Sequence, residues 1–152
     1  MLLPRLAVCS WSLQPANPSD LFDALATIGI KRVQLALDPL REQPAVWGEF
    51  PRLARERGVT VVSGMFGTLG EDYSTLETIK ETGGVVPDGT WDANWRNIQE
   101  VAGIAAQMGL KTVTFHAGFL PHEESDPAFA KLLGRIGQIA ALFARHRIDL
   151  GF

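Results

Sequence analysis

Short apolar segments alternate along the chain with longer segments in which apolar residues recur every three or four positions. The short segments predict buried parallel strands at Leu6–Trp11, Arg32–Leu37, Val59–Ser63 and Thr112–His116, with a fifth beginning near Ile148. The longer segments predict amphipathic helices at about 18–28, 44–57, 93–108 and 127–146. Strands that alternate with helices indicate an α/β fold with a parallel sheet and right-handed crossovers.

Capping residues at the helix ends agree with this pattern. Asn17 and Asp126 each offer a side-chain oxygen just before a proline, which is favoured at the first helical position. Glycine follows three of the predicted helices, at Gly29, Gly58 and Gly109, where it suits a left-handed residue that ends a helix. We therefore expect short turns from these helices into the next strands.

The connection after the third strand is much longer than the others. It runs from Gly67 to Trp91, and a connection of this length in a compact domain usually has a function. The sequence Ser74-Thr75-Leu76-Glu77 has a capping-box pattern, which predicts a short helix that ends at Gly83-Gly84. Asp92 is expected to cap the helix that follows.

Composition and charge exclude several classes of protein. The 152 residues are 46% hydrophobic and 20% charged, as in an ordinary globular domain, and carry a net charge of −3. No apolar run approaches the roughly 20 residues of a membrane helix. The absence of a Lys/Arg block argues against a nucleic-acid partner. Cys9 is the only cysteine, which allows no internal disulfide and fits a cytoplasmic location.

Two parallel architectures fit the order of elements, an open doubly wound sheet and a closed (βα)8 barrel of the TIM type. The turn at Ser10–Pro15 lacks the glycine-rich pattern of nucleotide-binding open sheets. Four βα units occupy most of the chain, so eight would need about 290 residues, within the range of a barrel. We therefore expect residues 1–152 to be the N-terminal half of one barrel, with about four units and the start of a fifth strand. Exposed strand edges would make homo-oligomers a further expectation.

Chemistry in such folds is concentrated where the strands end. The polar sides of the second and fourth strands should face the barrel interior, which places Asp38 and His116 near its mouth. His116 would serve there as a hydrogen-bonding or metal-binding imidazole, unless it only contacts a neighbouring loop. Trp11 and Phe66 could form a pocket wall, or each could only fill the core at the barrel rim. Glu71 could reach a polar ligand from the long loop. These five residues are the predicted substrate-binding set, and no catalytic residue is assigned.

Several motifs resemble the sugar isomerase/epimerase superfamily, the xylose-isomerase-like barrels. They are Ser10-Trp11-Ser12 after the first strand, Gly29–Leu35 before and within the second, and Val113–Gly118 on the fourth. The stretches Gly70–Thr75 and Gly83–Asp88 are similar to the substrate-side loop of sugar phosphate isomerases/epimerases. The resemblance covers nearly the whole chain, but it does not single out a substrate.

The resemblance implies a metal-dependent enzyme that isomerises or epimerises a small sugar, sugar phosphate or sugar acid. A divalent ion (Mn, Mg, Co or Zn) would polarise the sugar oxygens while paired glutamates move the proton. The family's ion is held by residues of the fifth to eighth strands, so no metal ligand is expected within this chain. His116 matches a substrate-side histidine of the family, with Trp11 and Phe66 as pocket residues. This 152-residue piece would then be inactive on its own.

Three other functions stay open at this point. An endonuclease-IV-like enzyme would need a histidine on the third strand, which instead ends Ser63-Gly64-Met65-Phe66, and a basic groove. A lyase or dehydratase could use the same scaffold. A non-catalytic half-barrel could act as a binding or assembly module.

Overall fold

Five parallel strands form a single sheet in the order β1-β2-β3-β4-β5. A computed structural model describes residues 5–152; the first four residues of the predicted domain lie outside it. The strands are β1 (Val8–Cys9), β2 (Arg32–Ala36), β3 (Thr60–Phe66), β4 (Thr112–Phe115) and β5 (Asp149–Gly151). The predicted parallel α/β sheet is therefore confirmed, and its sequential order is that of adjacent staves of a TIM barrel.

Eight helices are present in residues 5–152. They are α1 (Ser10–Leu13), α2 (Pro18–Ile28), α3 (Asp38–Glu42), α4 (Pro44–Trp47), α5 (Phe50–Glu56), α6 (Leu76–Thr82), α7 (Asp88–Gln107) and α8 (Pro127–Arg145). The Asn17 and Asp126 side chains cap α2 and α8 as predicted, each accepting a backbone N–H. In this range, no helix is apolar over the length that a bilayer crossing requires.

The first predicted strand is shorter than expected and turns into a helix. The segment after Cys9 forms α1, which ends at Gln14 in the left-handed conformation (φ 46°, ψ 49°). The hydroxyl of buried Ser10 accepts a hydrogen bond from the N–H of Ala36 at 2.8 Å. Because β1 ends at Cys9, the Ser10 hydroxyl replaces a strand carbonyl as the acceptor for this N–H of β2.

The helix predicted at 44–57 is wrong as a continuous element. The predicted region is divided into α4 and α5, and a separate helix, α3, precedes it; each of the three has a proline at its first or second position. Pro44 and Pro51 cannot donate the backbone hydrogen bond that a continuing helix requires. Gln43, between α3 and α4, has left the helical conformation (φ −131°, ψ 58°).

The long connection contains the expected short helix, but the predicted caps are misplaced. Thr75, not Ser74, caps α6, and it forms a reciprocal capping box with Thr78. The next helix, α7, begins at Asp88, four residues before the predicted cap Asp92. Proline at position 87 fixes an extended backbone (φ −66°, ψ 130°) just before α7, and the chain enters the helix directly after it.

The two faces of the sheet differ as the sequence predicts. Val33 and Leu35 on β2 are fully buried against the helices. On the opposite face, the Gln34 side-chain amide donates a hydrogen bond to the Thr114 hydroxyl at 3.1 Å. The Cys9 thiol contacts the Met65 sulfur on the same inner face at 3.2 Å. The inner face is therefore the polar and sulfur-bearing side that a closed barrel would enclose.

Candidate active site

Glu71 and His116 meet beyond the carboxyl ends of β3 and β4. Oε1 of Glu71 lies 3.1 Å from Nδ1 of His116. The His116 side chain is 43% exposed, whereas that of Glu71 is 11% exposed. Active sites of parallel α/β barrels occur at this end of the strands. The pair joins two of the predicted substrate-binding residues in one place.

The Glu71 carboxylate is held by several donors besides His116. Its Oε1 accepts the Gly84 N–H at 2.9 Å and the Thr68 hydroxyl at 2.9 Å. The Tyr73 hydroxyl donates to the other oxygen, Oε2, at 3.2 Å. Partial burial and the nearby Glu71 charge both raise the pKa of Tyr73, which keeps its phenol protonated as a donor. A carboxylate with this many partners is fixed in orientation.

Glycines allow the backbone at Gly83-Gly84 to contact the backbone at Ala117-Gly118, next to the Glu71–His116 pair. A Cβ on Gly84 (φ +68°) would lie 2.2 Å from the Ala117 carbonyl carbon and the Gly118 nitrogen. A Cβ on Gly83 would lie 2.7 Å from Cε1 of the His116 ring. The Val85 N–H donates to the Ala117 carbonyl at 3.1 Å. Only glycine allows the long connection to approach β4 this closely.

Other side chains hold both ends of the long connection in place. At its start, the Asp38 carboxylate accepts the Gly67 N–H at 2.8 Å, and buried Asn94 of α7 accepts the Leu69 N–H at 2.8 Å. At its end, the Arg135 guanidinium donates to the carbonyls of Val85 and Val86 at 2.9 Å and 2.8 Å. The connection is therefore an anchored part of the fold and not a loose loop.

Asp38 lies at the mouth of the sheet, as predicted, where it bridges β2 and β3. Burial raises the pKa of Asp38, although the Gly67 N–H and the Arg41 guanidinium both favour its charged form. The nearest Arg41 nitrogen is 3.6 Å away. Asp38 therefore anchors the start of the long connection, and its carboxylate is partly occupied by that contact.

A cavity of about 510 Å³ opens next to Tyr73, whose hydroxyl binds Glu71. His116 itself lines a different cavity of about 450 Å³, together with Lys80 and Phe119. The walls of the cavity next to Tyr73 are mainly apolar, and they include Trp11, Trp47 and Tyr73. Tyr73 links this cavity to the pair, because its ring centroid also lies 6.2 Å from that of His116. Trp11, a predicted pocket residue, is thus brought near the pair through Tyr73. A mainly apolar cavity with a few polar groups nearby is typical of small-ligand sites.

Phe66 is placed differently from the other predicted site residues. It is 1% exposed, and its ring stacks on Phe115 (5.0 Å between centroids) and Phe143 (6.1 Å). These contacts lie between the sheet and the outer helices. Phe66 therefore packs in the core, because its place on β3 alternates toward the helices and not toward the interior.

The neighbouring acidic and histidine residues do not join the pair. Asp72 accepts the Ser74 N–H at 2.8 Å, and hydrogen bonds from the Ser74 hydroxyl and from this N–H lower the pKa of Asp72. His122 and His146 are exposed. Within residues 5–152, no three His, Cys, Asp or Glu side chains are arranged to hold a metal ion. The side chains present here do not fit a metal centre by themselves.

Some residues of the site were not identified from the sequence. The Gly84 N–H and the Thr68 hydroxyl both bind Glu71, and Asn94 orients the connection from α7. The Gly-Gly pair was interpreted only as a helix end. A polar residue at position 94, at the buried Ile98 and Val101 face of a helix, is the signal that identifies Asn94 as a buried hydrogen-bonding residue.

Comparison with known proteins places this geometry in a family. The sequence model of the xylose isomerase-like TIM barrel family matches residues 22–152. Comparison with curated protein sequences gives no significant match.

Solved structures share the fold. A xylose isomerase domain protein from Planctomyces limnophilus superposes with a TM-score of 0.78 at 19% identity, over 95% of this chain and 52% of that one. D-psicose 3-epimerase with D-tagatose, from Clostridium cellulolyticum H10, gives 0.64 at 10% identity, over 95% and 50%. A xylose isomerase-like barrel from Mycobacterium smegmatis, in complex with magnesium, gives 0.61 at 13%, over 95% and 53%.

This chain spans about half the length of those structures. The five-stranded parallel sheet matches an incomplete TIM barrel, as predicted. Because the family model matches most of its residues, the chain belongs to the xylose isomerase-like TIM barrel family.

Proposed function

We propose that this chain forms the substrate-binding side of a sugar isomerase or epimerase, with His116 as the residue that contacts the sugar. The Glu71–His116 pair carries the proposal, because it places a half-exposed imidazole at the end of the barrel where this fold performs its chemistry. Solved structures that share the fold include D-psicose 3-epimerase and L-ribulose 3-epimerase.

The side chains near Tyr73 and His116 suit a small polyol. The exposed rings of Trp11 and Tyr73, which both line the cavity of about 510 Å³, offer flat apolar surfaces, which can pack against the C–H face of a sugar. His116, together with the Tyr73 hydroxyl, supplies hydrogen-bonding groups near these rings. We therefore propose a small sugar, sugar phosphate or sugar acid as the substrate.

The proposed reaction needs groups that these five strands do not supply. Isomerisation or epimerisation requires removal and return of a proton beside a carbonyl, and Glu71 is already occupied by several donors. Our proposal assigns proton transfer and a divalent ion to further residues, from a longer polypeptide or from a second chain, that complete the barrel. A cytoplasmic setting, supported by the single cysteine, belongs to the same proposal.

Deuterium uptake from solvent tests the activity. The longest reading frame that contains this chain is incubated in D2O with a panel of ketoses and aldoses, and proton NMR follows the carbon beside the carbonyl. We expect exchange with at least one sugar and its loss after treatment with EDTA. Water elimination without epimer formation would instead indicate a dehydratase. Absence of any exchange across the panel would overturn the proposal.

His116→Ala tests the residue assignment in the same protein. Loss of one or two hydrogen bonds to the substrate should lower kcat/KM by about 10- to 100-fold, since such bonds contribute about 1–3 kcal/mol. His122→Ala, at an exposed histidine, is the matched control and should leave kcat/KM unchanged. Equal activity of the two variants would contradict the role of His116.

A further inference from the structure

The Glu71 carboxylate has little capacity left for a substrate. Three donors converge on Oε1: the Gly84 N–H, the Thr68 hydroxyl and Nδ1 of His116. Oε2 accepts the Tyr73 hydroxyl. A carboxylate oxygen offers about two lone-pair directions, so Oε1 is saturated by these contacts. Direct hydrogen bonding of Oε1 to a sugar would require the loss of one of them.

These contacts determine which nitrogen of His116 carries the proton. Two of the donors to Oε1, a backbone N–H and a hydroxyl, identify this oxygen as an acceptor. An acceptor facing Nδ1 at 3.1 Å requires that Nδ1 bear the hydrogen. In a neutral imidazole Nε2 is then bare, and no residue from 5 to 152 hydrogen-bonds to it.

The ring is also held against rotation. The backbone of Gly83 lies so close to the imidazole that a Cβ at position 83 would be only 2.7 Å from Cε1 of His116. The Gly84 N–H that holds Glu71 comes from the next residue, whose backbone lies against Ala117 and Gly118. One pair of glycines thus fixes both partners of the hydrogen bond.

We propose that Glu71 is a positioning residue that holds His116 in the Nδ1–H tautomer and so makes Nε2 a hydrogen-bond acceptor for a ligand hydroxyl. The identity of that ligand as a polyol rests on the proposed function. The tautomer of His116 does not depend on it. The inference differs from the sequence-based expectation that Glu71 itself binds substrate. A carboxylate that orients a histidine in this way acts only through the imidazole.

Nitrogen-15 NMR of histidine-labelled protein tests the tautomer directly. The chain has three histidines, so the signals of His116, His122 and His146 can be assigned by substitution. At about pH 8, where imidazole is neutral, we expect His116 in the Nδ1–H form. The free side chain favours the Nε2–H form, so Glu71→Ala should switch His116 to that tautomer. Glu71→Gln, which keeps an oxygen able to accept the Gly84 N–H, should retain Nδ1–H.

Glu81→Ala removes an exposed carboxylate of α6 and serves as the matched control, with His116 unchanged. An Nε2–H tautomer of His116 in the wild-type protein would overturn the inference, whether or not the variants fold. Retention of Nδ1–H in a folded Glu71→Ala protein would overturn it as well.

The outcome is separable from that of the proposed function. If the tautomer depends on Glu71 but no sugar exchanges deuterium, the inference stands and the sugar activity is refuted. If a sugar exchanges and His116→Ala lowers the rate, but the tautomer is independent of Glu71, the activity stands and the role of Glu71 is refuted.

Discussion

Alanine at position 84 tests the tight backbone packing that supports the Glu71–His116 pair. Gly84 has φ +68°, and a Cβ there would lie 2.2 Å from the backbone of Ala117 and Gly118. The left-handed conformation costs a non-glycine residue about 1–2 kcal/mol. Overpacking against atoms that cannot move aside costs roughly 1–3 kcal/mol more. Gly84→Ala should therefore lower the free energy of unfolding by about 2–5 kcal/mol.

Two other glycines separate these contributions. Gly58 has nearly the same φ (+66°), but its Cβ would meet open space, so Gly58→Ala should cost only the backbone part, about 1–2 kcal/mol. Gly103 lies within α7 with no atom near a Cβ, and Gly103→Ala should stabilise by about 0.5–1 kcal/mol.

Urea unfolding followed by circular dichroism gives the three free energies. The difference between Gly84→Ala and Gly58→Ala isolates the steric contribution. If the two variants are equally destabilised, the contact between the Gly-Gly segment and β4 is not as close as the structure shows. The explanation of the site geometry would then be refuted.

Three further variants test the anchors of the long connection. Burial raises the pKa of Asp38 above its ordinary 3.8, so the folded state keeps this proton to higher pH than the unfolded chain. The contribution of Asp38 to the free energy of unfolding thus falls as pH rises from 3.8 through the raised pKa. Asp38→Asn should remove this decrease when the free energy of unfolding is measured with urea at several acidic pH values. An NMR titration midpoint for Asp38 at or below 3.8 would contradict this. Arg135→Met leaves two backbone carbonyls without their donor and should cost about 2–3 kcal/mol, whereas Arg96→Met at an exposed site should change stability by less than about 0.5 kcal/mol. Thr75→Ala removes the cap of α6 and should cost about 1 kcal/mol in the same assay; no measurable change would show that α6 is not held by its cap.

Much of the fold could be predicted because it depends on local patterns. The strands and the long helices follow from apolar periodicity, and the Asn17 and Asp126 caps follow from short-range chemistry. The prediction of one helix over 44–57 failed because apolar periodicity persists across Pro51, although this proline lies in the first turn of a new helix.

The site was only partly predictable, because its contacts join residues distant in sequence. Glu71 and His116 are 45 positions apart. Their positions near strand ends predict that both lie at the same end of the sheet, but they do not predict that the two side chains form a hydrogen bond with each other. The alternation of side chains along β3 puts Phe66 on the face opposite to that of Met65, which is why Phe66 packs in the core and not in a pocket. The Gly84–Ala117 contact depends on a tertiary approach that no local pattern encodes.

The most direct test of the account is a sugar titration observed at the nitrogens of His116. Histidine-labelled protein from the longest reading frame is titrated with D-fructose and with other small ketoses, and the three histidines are followed by nitrogen-15 NMR. We predict a saturable shift of Nε2 of His116 with at least one sugar, while His122 and His146 stay unchanged. Failure of every sugar to shift His116, or equal shifts at all three histidines, would contradict the claim that the imidazole held by Glu71 is where this barrel binds its substrate.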